Sequence, residues 1–140
     1  MKHRIFEMIE HTGDAGMKAY GTTKEEMFVN AATGMFSIIA DLKSIKMQDS
    51  IDIEVEADNI EELFVAWLRE LLYQCDVKKV IFKAFSIEFL DDKHLRALCY
   101  GERINIEKQK LKTEIKAVTY HQLKVWQENS LWIGQIIFDL

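Results

Sequence analysis

Proline is absent from this 140-residue sequence, which also has only six glycines and two cysteines. Because linkers between domains are usually rich in proline, glycine or serine, no segment has the composition of a linker. We therefore expect one continuous domain over residues 1–140. Long apolar runs are missing as well. None approaches the roughly 20 residues of a membrane-spanning helix, and the first residues lack the apolar run of a secretory signal peptide.

Positive charge is in deficit, since 18 lysines and arginines stand against 23 aspartates and glutamates, for a net charge of −5. A protein that binds phosphate backbones without sequence preference is expected to be basic, so this function is disfavoured for DNA and for RNA. The hydrophobic fraction of 49% suits a sizeable core and excludes general disorder. Cys75 and Cys99 have the spacing of neither a redox motif nor metal ligands, so we expect two buried free thiols in a cytoplasmic protein.

The apolar pattern predicts an α+β fold, in which two helices pack on a predominantly antiparallel sheet. One helix is predicted from a capping box at residues 23–26 to about residue 41, and a second from a capping signal at 58–61 to about residue 74. Strands are predicted at residues 5–10, 17–20, 51–57, 79–89, 94–100, 114–126 and 131–140. Turns are predicted at residues 11–16, 91–93 and 127–130, and Gly101-Glu102 is expected to end a strand.

The first segment that suggests chemistry is HTGDAG, at residues 11–16. Its glycines would let the backbone approach a ligand closely, and Asp14 supplies a hard oxygen ligand of the kind that divalent cations prefer. The alternative is purely structural, namely an Asx turn in which the Asp14 side chain binds its own backbone. The sequence by itself leaves both interpretations open.

The second segment is the carboxyl end, where Ile136, Ile137 and Phe138 lead directly into Asp139 and Leu140. Chain ends usually fray, but three large apolar residues indicate that this end is held in a core. If Leu140 is the terminus, its α-carboxylate adds a second anionic group beside Asp139. A carboxylate at a strand end near a loop carboxylate would suit Ca²⁺ or Mg²⁺, although a solvated terminal aspartate is the simpler alternative.

Other candidate residues carry weaker signals. Lys116 falls in a β-rich run, and strict alternation would place it on one face with Val118 and Tyr120. It could face solvent, pair with the acidic residues or contact a partner, whereas His121 is expected to be structural. The four histidines show no metalloprotease spacing, and the sequence has neither a phosphate-binding loop nor a dinucleotide-binding fingerprint. No nucleophile with a neighbouring base is evident.

Several short segments, in order along the chain, make this sequence resemble the archease family. They are HTGDAG at 11–16, NAATGMF at 30–36, WLRELLY at 67–73, GE at 101–102, EIKAVTYH at 114–121 and IFDL at 137–140. Together they cover nearly the whole chain. The first motif departs mildly from the usual His-Thr-Ala-Asp-Val-Gly, because Gly13 and Ala15 replace its two middle residues, but Asp14 is retained.

The resemblance implies a small α+β protein, related to strand-helix-strand-strand modules, that assists an RtcB-type RNA ligase in tRNA splicing. Such a protein promotes guanylylation of the ligase from GTP and restores its turnover, without forming the RNA bond itself. It implies a divalent cation, Ca²⁺ first with Mg²⁺ or Mn²⁺ as alternatives, held by Asp14 and Asp139 with an oxygen of Leu140. Lys116 and His11 are then candidates for partner contact or activation. The protein is expected to contact RNA only indirectly, through the ligase.

Two other functions stay open. One is a chaperone-like modulator of several RNA-modifying enzymes, in which apolar surface contacts matter and the metal is incidental. The other is a metal-dependent hydrolase, with Asp14 and Asp139 as ligands and His11 as the base. Two carboxylates alone make a sparse catalytic site, and the sequence supplies no nucleophile for it.

Overall fold

The computed structural model describes residues 5–11, 13–105 and 109–140, with the backbone alone at residues 10 and 11. The predicted α+β class is confirmed, and the helices and strands follow each other in the predicted order. A short 3₁₀ helix, Leu42–Ser44, follows the first α-helix. The main elements are β1 (Phe6–His11), β2 (Asp14–Gly21), α1 (Lys24–Ile39), β3 (Asp49–Glu56), α2 (Ile60–Lys78), β4 (Val80–Leu90), β5 (His94–Arg103), β6 (Ala117–Glu128) and β7 (Leu131–Asp139).

The strands form two antiparallel sheets instead of one. Their orders are β1-β2-β7-β6 and β3-β5-β4. Helices α1 and α2 each contact strands of both sheets, so they lie between the two. The wide apolar faces of the helices explain this layering, because a helix that is apolar on two sides must be covered on two sides.

The core lies where the helices meet the two sheets. Its largest fully buried side chains include Trp67, Phe28, Phe64 and Phe138. The Phe28 and Phe64 rings meet edge to face with centroids 5.3 Å apart, a favoured aromatic geometry. The indole N–H of Trp67 donates to the Phe28 carbonyl over 3.0 Å and so joins α2 to α1. Cys75 and Cys99 are buried free thiols as predicted, and burial raises their pKa values to about 11 and about 12.

Both helices begin at caps that the sequence indicated. The Thr23 hydroxyl accepts a hydrogen bond from the Glu26 backbone N–H over 3.1 Å, and the Glu26 carboxylate in turn accepts from Thr22. Asn59 caps α2 by accepting from the Glu62 N–H over 2.9 Å. Helix α2 continues beyond the predicted end near residue 74 and stops at Lys79, which adopts a left-handed φ of 57°. Among the described residues, no helix combines the length and apolarity needed to span a bilayer.

Strand β5 runs through Gly101, so the expectation that Gly101-Glu102 would end a strand was wrong. Gly101 pairs with Asp49 on one side and Phe82 on the other. The register of β4 against β5 shifts just after Phe82, and a Cβ on Gly101 would lie only 1.9 Å from the Ile81 carbonyl oxygen. Glycine is therefore required here by a close approach of two strands.

The predicted hairpin between β6 and β7 is confirmed. Glu128 pairs with Leu131, which leaves Asn129 and Ser130 as a two-residue loop. Their φ angles are 51° and 65°, and two successive positive values are typical of the type I′ turn that suits the twist of β-hairpins.

Candidate metal centre

The register of β2 against β7 brings the two predicted carboxylates together. Asp14 opens β2, Asp139 closes β7, and the two residues are direct cross-strand partners. Directly opposed residues point to the same face of a sheet, with Cβ atoms usually about 4.5–5.5 Å apart. Asp14 is half-buried and Asp139 is exposed. The carboxylates thus form a pair at one end of the four-stranded sheet.

The turn that carries Asp14 is tighter than predicted. His11 and Asp14 are cross-strand partners, and residues 14–16, which were predicted as part of the turn, belong to β2. Gly13 adopts a φ of +77°, a conformation that glycine reaches without strain. Asp14 is therefore the first residue of a strand.

Asp139 is held in place from three sides. On the same strand, Ile136 and Phe138 are fully buried, which confirms that the carboxyl end is packed into the core. The Asp139 carbonyl oxygen accepts a hydrogen bond from the Lys116 backbone N–H over 2.8 Å. The next residue, Leu140, donates its backbone N–H to the Gly13 carbonyl over 3.2 Å. These bonds use only backbone atoms and do not involve the Asp139 carboxylate.

The chemistry of this pair suits a divalent cation. Like charges that face each other directly across strands repel, and a bound cation would replace that repulsion with attraction. Carboxylate oxygens are the ligands that Ca²⁺ and Mg²⁺ prefer. Among the described side chains, no three from His, Cys, Asp or Glu gather in a way that could hold a metal ion. A cation between Asp14 and Asp139 would therefore need further oxygens, from the Leu140 backbone and from water.

The remaining predicted site residues are placed as follows. Lys116 is exposed and precedes β6, so its predicted place inside a strand was wrong. Strict alternation fails there because residues 112–116 are irregular, and Ile115 and Val118 are both 2% exposed. The backbone of His11 lies opposite Asp14, whereas its side chain and Thr12 lie outside the described residues.

One contact near this end was missed by sequence reasoning. Arg69 of α2 donates from Nε to the Val118 carbonyl over 3.1 Å, and Val118 is the cross-strand partner of Phe138. An arginine inside a strongly apolar helical segment was the available signal, but its partner on β6 depends on tertiary packing.

Comparisons with known proteins agree on one family. The model of the archease protein family matches residues 6–140. The protein archease of Pyrococcus furiosus is 39% identical and covers 98% of this chain and 99% of its own length. The corresponding protein of Methanosarcina barkeri is 35% identical, over 96% of this chain and 95% of its own.

Solved structures agree with the fold. The solution structure of Methanobacterium thermoautotrophicum protein 1598 superposes with a TM-score of 0.81 at 33% identity, covering 97% of this chain and 99% of that one. The crystal structure of a Thermotoga maritima archease, described as a possible chaperone, has the same fold, with a TM-score of 0.63 at 20% identity and coverage of 99% and 100%. With a family match along nearly its whole length and relatives above 30% identity, this chain belongs to the archease family.

Proposed function

We propose that this archease is a non-catalytic accessory protein that activates an RtcB-type RNA ligase. It promotes guanylylation of the ligase from GTP and so allows many rounds of RNA joining. The observation that carries the proposal is the direct pairing of Asp14 with Asp139 at an accessible end of the sheet. The class of partner is what the resemblance of the sequence motifs to this family implies, and the paired carboxylates have a chemistry that suits a metal-dependent reaction on anionic substrates.

Within this proposal the protein's residues act by positioning. Asp14 and Asp139 would hold a divalent cation, which would supply positive charge to a reaction on anionic phosphates. The hydrogen bonds donated by the Lys116 and Leu140 backbone N–H groups fix the backbone around Asp139 and keep it in register with Asp14. Activation then requires that the archease bind the guanylylation-competent ligase more tightly than the stalled ligase. Lys116, exposed beside the site, is a candidate contact to the ligase.

A turnover assay tests the proposal. A cognate RtcB-type ligase at low concentration is given excess broken RNA, GTP and Mn²⁺, with or without the archease. We expect the wild-type protein to convert a stalled single round into many rounds, and Asp14→Ala to lose that effect while remaining folded. Asp49→Ala, which removes an exposed carboxylate at the start of β3, is the matched control and should activate normally.

Other outcomes separate the alternatives. If the wild-type protein has no effect on a cognate ligase, the proposed function fails. If Asp14→Ala and Asp139→Ala both activate fully, the metal site fails as the cause of activation. Activation of unrelated client enzymes by these two variants would favour a chaperone-like role, and the Thermotoga maritima archease is described as a possible chaperone. Hydrolysis of a phosphoester by the isolated protein would favour the hydrolase.

A further inference from the structure

One face of helix α2 is left uncovered by the two sheets. Tyr73 and Val77 of α2 are 52% and 56% exposed, and Tyr120 of the neighbouring strand β6 is 56% exposed. Arg69, Tyr73 and Val77 are spaced by four residues and therefore share one side of the helix. Tyrosines are enriched where proteins bind each other, because they combine a large apolar area with a hydroxyl. Two such exposed side chains, one on α2 and one on β6, mark this face as unusual.

Arg69 fixes the geometry of this face. Its guanidinium lies 4.5 Å from the centroid of the Tyr120 ring, and Nη1 donates to the Tyr120 hydroxyl over 3.3 Å. Its Nε donates to the Val118 carbonyl. These contacts hold α2 and β6 together and keep the Tyr120 ring in place. A surface held in this way loses little conformational freedom when it binds a partner.

Carboxylates surround the same residues. One shallow groove of about 470 Å³ runs between α2 and β3 and includes Glu56, Glu70 and Tyr73 in its lining. A second groove of about 410 Å³ adjoins it and includes Glu62, Asp58 and Tyr120. The two grooves share Glu56 and Arg69. Four carboxylates and one guanidinium line them, so this surface is acidic.

We infer that the α2–β6 face, defined by Glu56, Glu62, Glu70, Tyr73 and Tyr120, docks a basic, lysine- or arginine-rich surface of a protein partner. Carboxylates pair with basic side chains, and the exposed Tyr73 ring can receive a cation on its face. The same charge repels the phosphate backbone of a nucleic acid. The inference rests on the proposed function in one respect, namely that the partner is the RNA ligase.

The position of this face agrees with such a role. Arg69 donates a hydrogen bond to the Val118 carbonyl, and Val118 is the cross-strand partner of Phe138. Asp139 is the next residue along β7. The α2–β6 face and the carboxylate pair are therefore connected through the backbones of β6 and β7. Docking and activation then use adjacent but separate residues, which can be changed independently.

Binding measurements on immobilised ligase test the inference. We expect Tyr73→Ser to weaken binding at least about tenfold, as loss of an aromatic anchor does. The double charge reversal Glu56→Lys with Glu62→Lys should weaken it by a similar factor, and wild-type affinity should fall as salt rises. Asp14→Ala should still bind while failing to activate. Asp49→Lys with Asp52→Lys applies the same charge change to exposed residues of β3 outside the grooves and is the matched control, which should bind normally.

Cross-linking gives a second readout that a folding defect cannot imitate. A zero-length reagent that joins carboxylates to lysines should link Glu56, Glu62 or Glu70 to lysines of the ligase in the wild-type complex. If the wild type binds and activates but the Tyr73 and double-reversal variants do so equally well, the docking inference is overturned and the proposed function stands. If the wild type neither binds nor activates, both are overturned. Cross-links confined to other carboxylates, or binding that RNA alone reproduces, would also overturn the docking inference.

Discussion

Asp14 and Asp139 place two negative charges opposite each other on adjacent strands. The sequence identified both residues, because each carboxylate stands out in its segment. The sequence could not show that the two residues are paired, because it does not reveal that β7 lies beside β2. The two residues of this candidate pair could therefore be named from the sequence, whereas their cross-strand pairing could not. Lys116 illustrates the same limit, because alternation cannot reveal where an irregular segment ends and a strand begins.

Because the two charges face each other, removing one should raise stability without a bound cation and lower it when a cation is bound. Asp14→Asn preserves shape but removes one charge, so in the presence of chelator we expect the free energy of unfolding to rise by roughly 0.2–1 kcal/mol. We also expect Ca²⁺ to raise the melting temperature of the wild type, and Asp14→Asn to lose that increase. Thermal unfolding with EDTA and with excess CaCl₂ measures both effects. The variant Asp49→Asn serves as control, and an unchanged Ca²⁺ response in Asp14→Asn would exclude Asp14 as a ligand.

At the scale of single elements, local signals predicted helix starts and hairpins well. Thr23, Asn59 and the Asn129-Ser130 loop act through their immediate neighbours, so their roles can be inferred from sequence. Gly101 shows why other features could not be inferred. A glycine inside a strand and a glycine that ends one look alike in sequence, and only the approach of Ile81 distinguishes them.

The close approach at Gly101 predicts a large effect for a small change. Gly101→Ala places a methyl group against the backbone of β4, so we expect the free energy of unfolding to fall by about 1–3 kcal/mol or more. Gly13→Ala is the comparison variant, because a Cβ there meets nothing within 4 Å and only its φ of +77° is strained. That strain costs roughly 1–2 kcal/mol. Urea denaturation of both variants measures their free energies of unfolding. An unchanged free energy in Gly101→Ala would contradict the close approach of β4 and β5 at this position.

The turn between β4 and β5 predicts a contribution to acid stability. The backbone N–H groups of Lys93 and His94 each donate to the Asp91 carboxylate over 2.8 Å. These hydrogen bonds lower the pKa of Asp91 below 3.8, and the bond from Lys93 has the largest effect. A carboxyl with a lowered folded pKa stabilises the fold above its unfolded pKa and loses that effect as pH falls through the folded value. Asp91→Asn should therefore be less stable than wild type at pH 6, with the difference shrinking below about pH 4. Urea midpoints between pH 6 and pH 2.5 measure this. A difference that stays constant with pH would show that the charge of Asp91 contributes nothing to stability.

For the whole molecule, the sequence predicted the fold class and the order of elements, but it predicted one sheet where there are two. Periodicity shows which face of each strand is buried and carries no information about which strands are hydrogen-bonded neighbours. The wide apolar face of α2 was the available hint that the helix has a partner on more than one side. The strands are divided into two sheets because the two helices lie between the sheets.

The shared helices predict that the molecule unfolds as one unit. Since α1 and α2 contact both sheets, neither sheet can be lost without exposing the core of the other. We expect unfolding followed by tryptophan fluorescence and by far-UV circular dichroism to give coincident single transitions. Trp67→Phe, which removes the hydrogen bond to the Phe28 carbonyl, should shift both transitions together to lower denaturant. Two separated transitions would show that the sheets are independent folding units.

The place of β7 between β2 and β6 has a consequence for synthesis on the ribosome. The β1–β2 hairpin emerges early, yet the strand that covers its open edge is the last element of this sequence to be made. Until then β2 presents unpaired backbone groups, which are a template for pairing with other chains. The four-stranded sheet cannot close before β7 has left the exit tunnel, so the carboxylate pair cannot form before then. A nascent chain stalled before β7 is accordingly the species most exposed to aggregation.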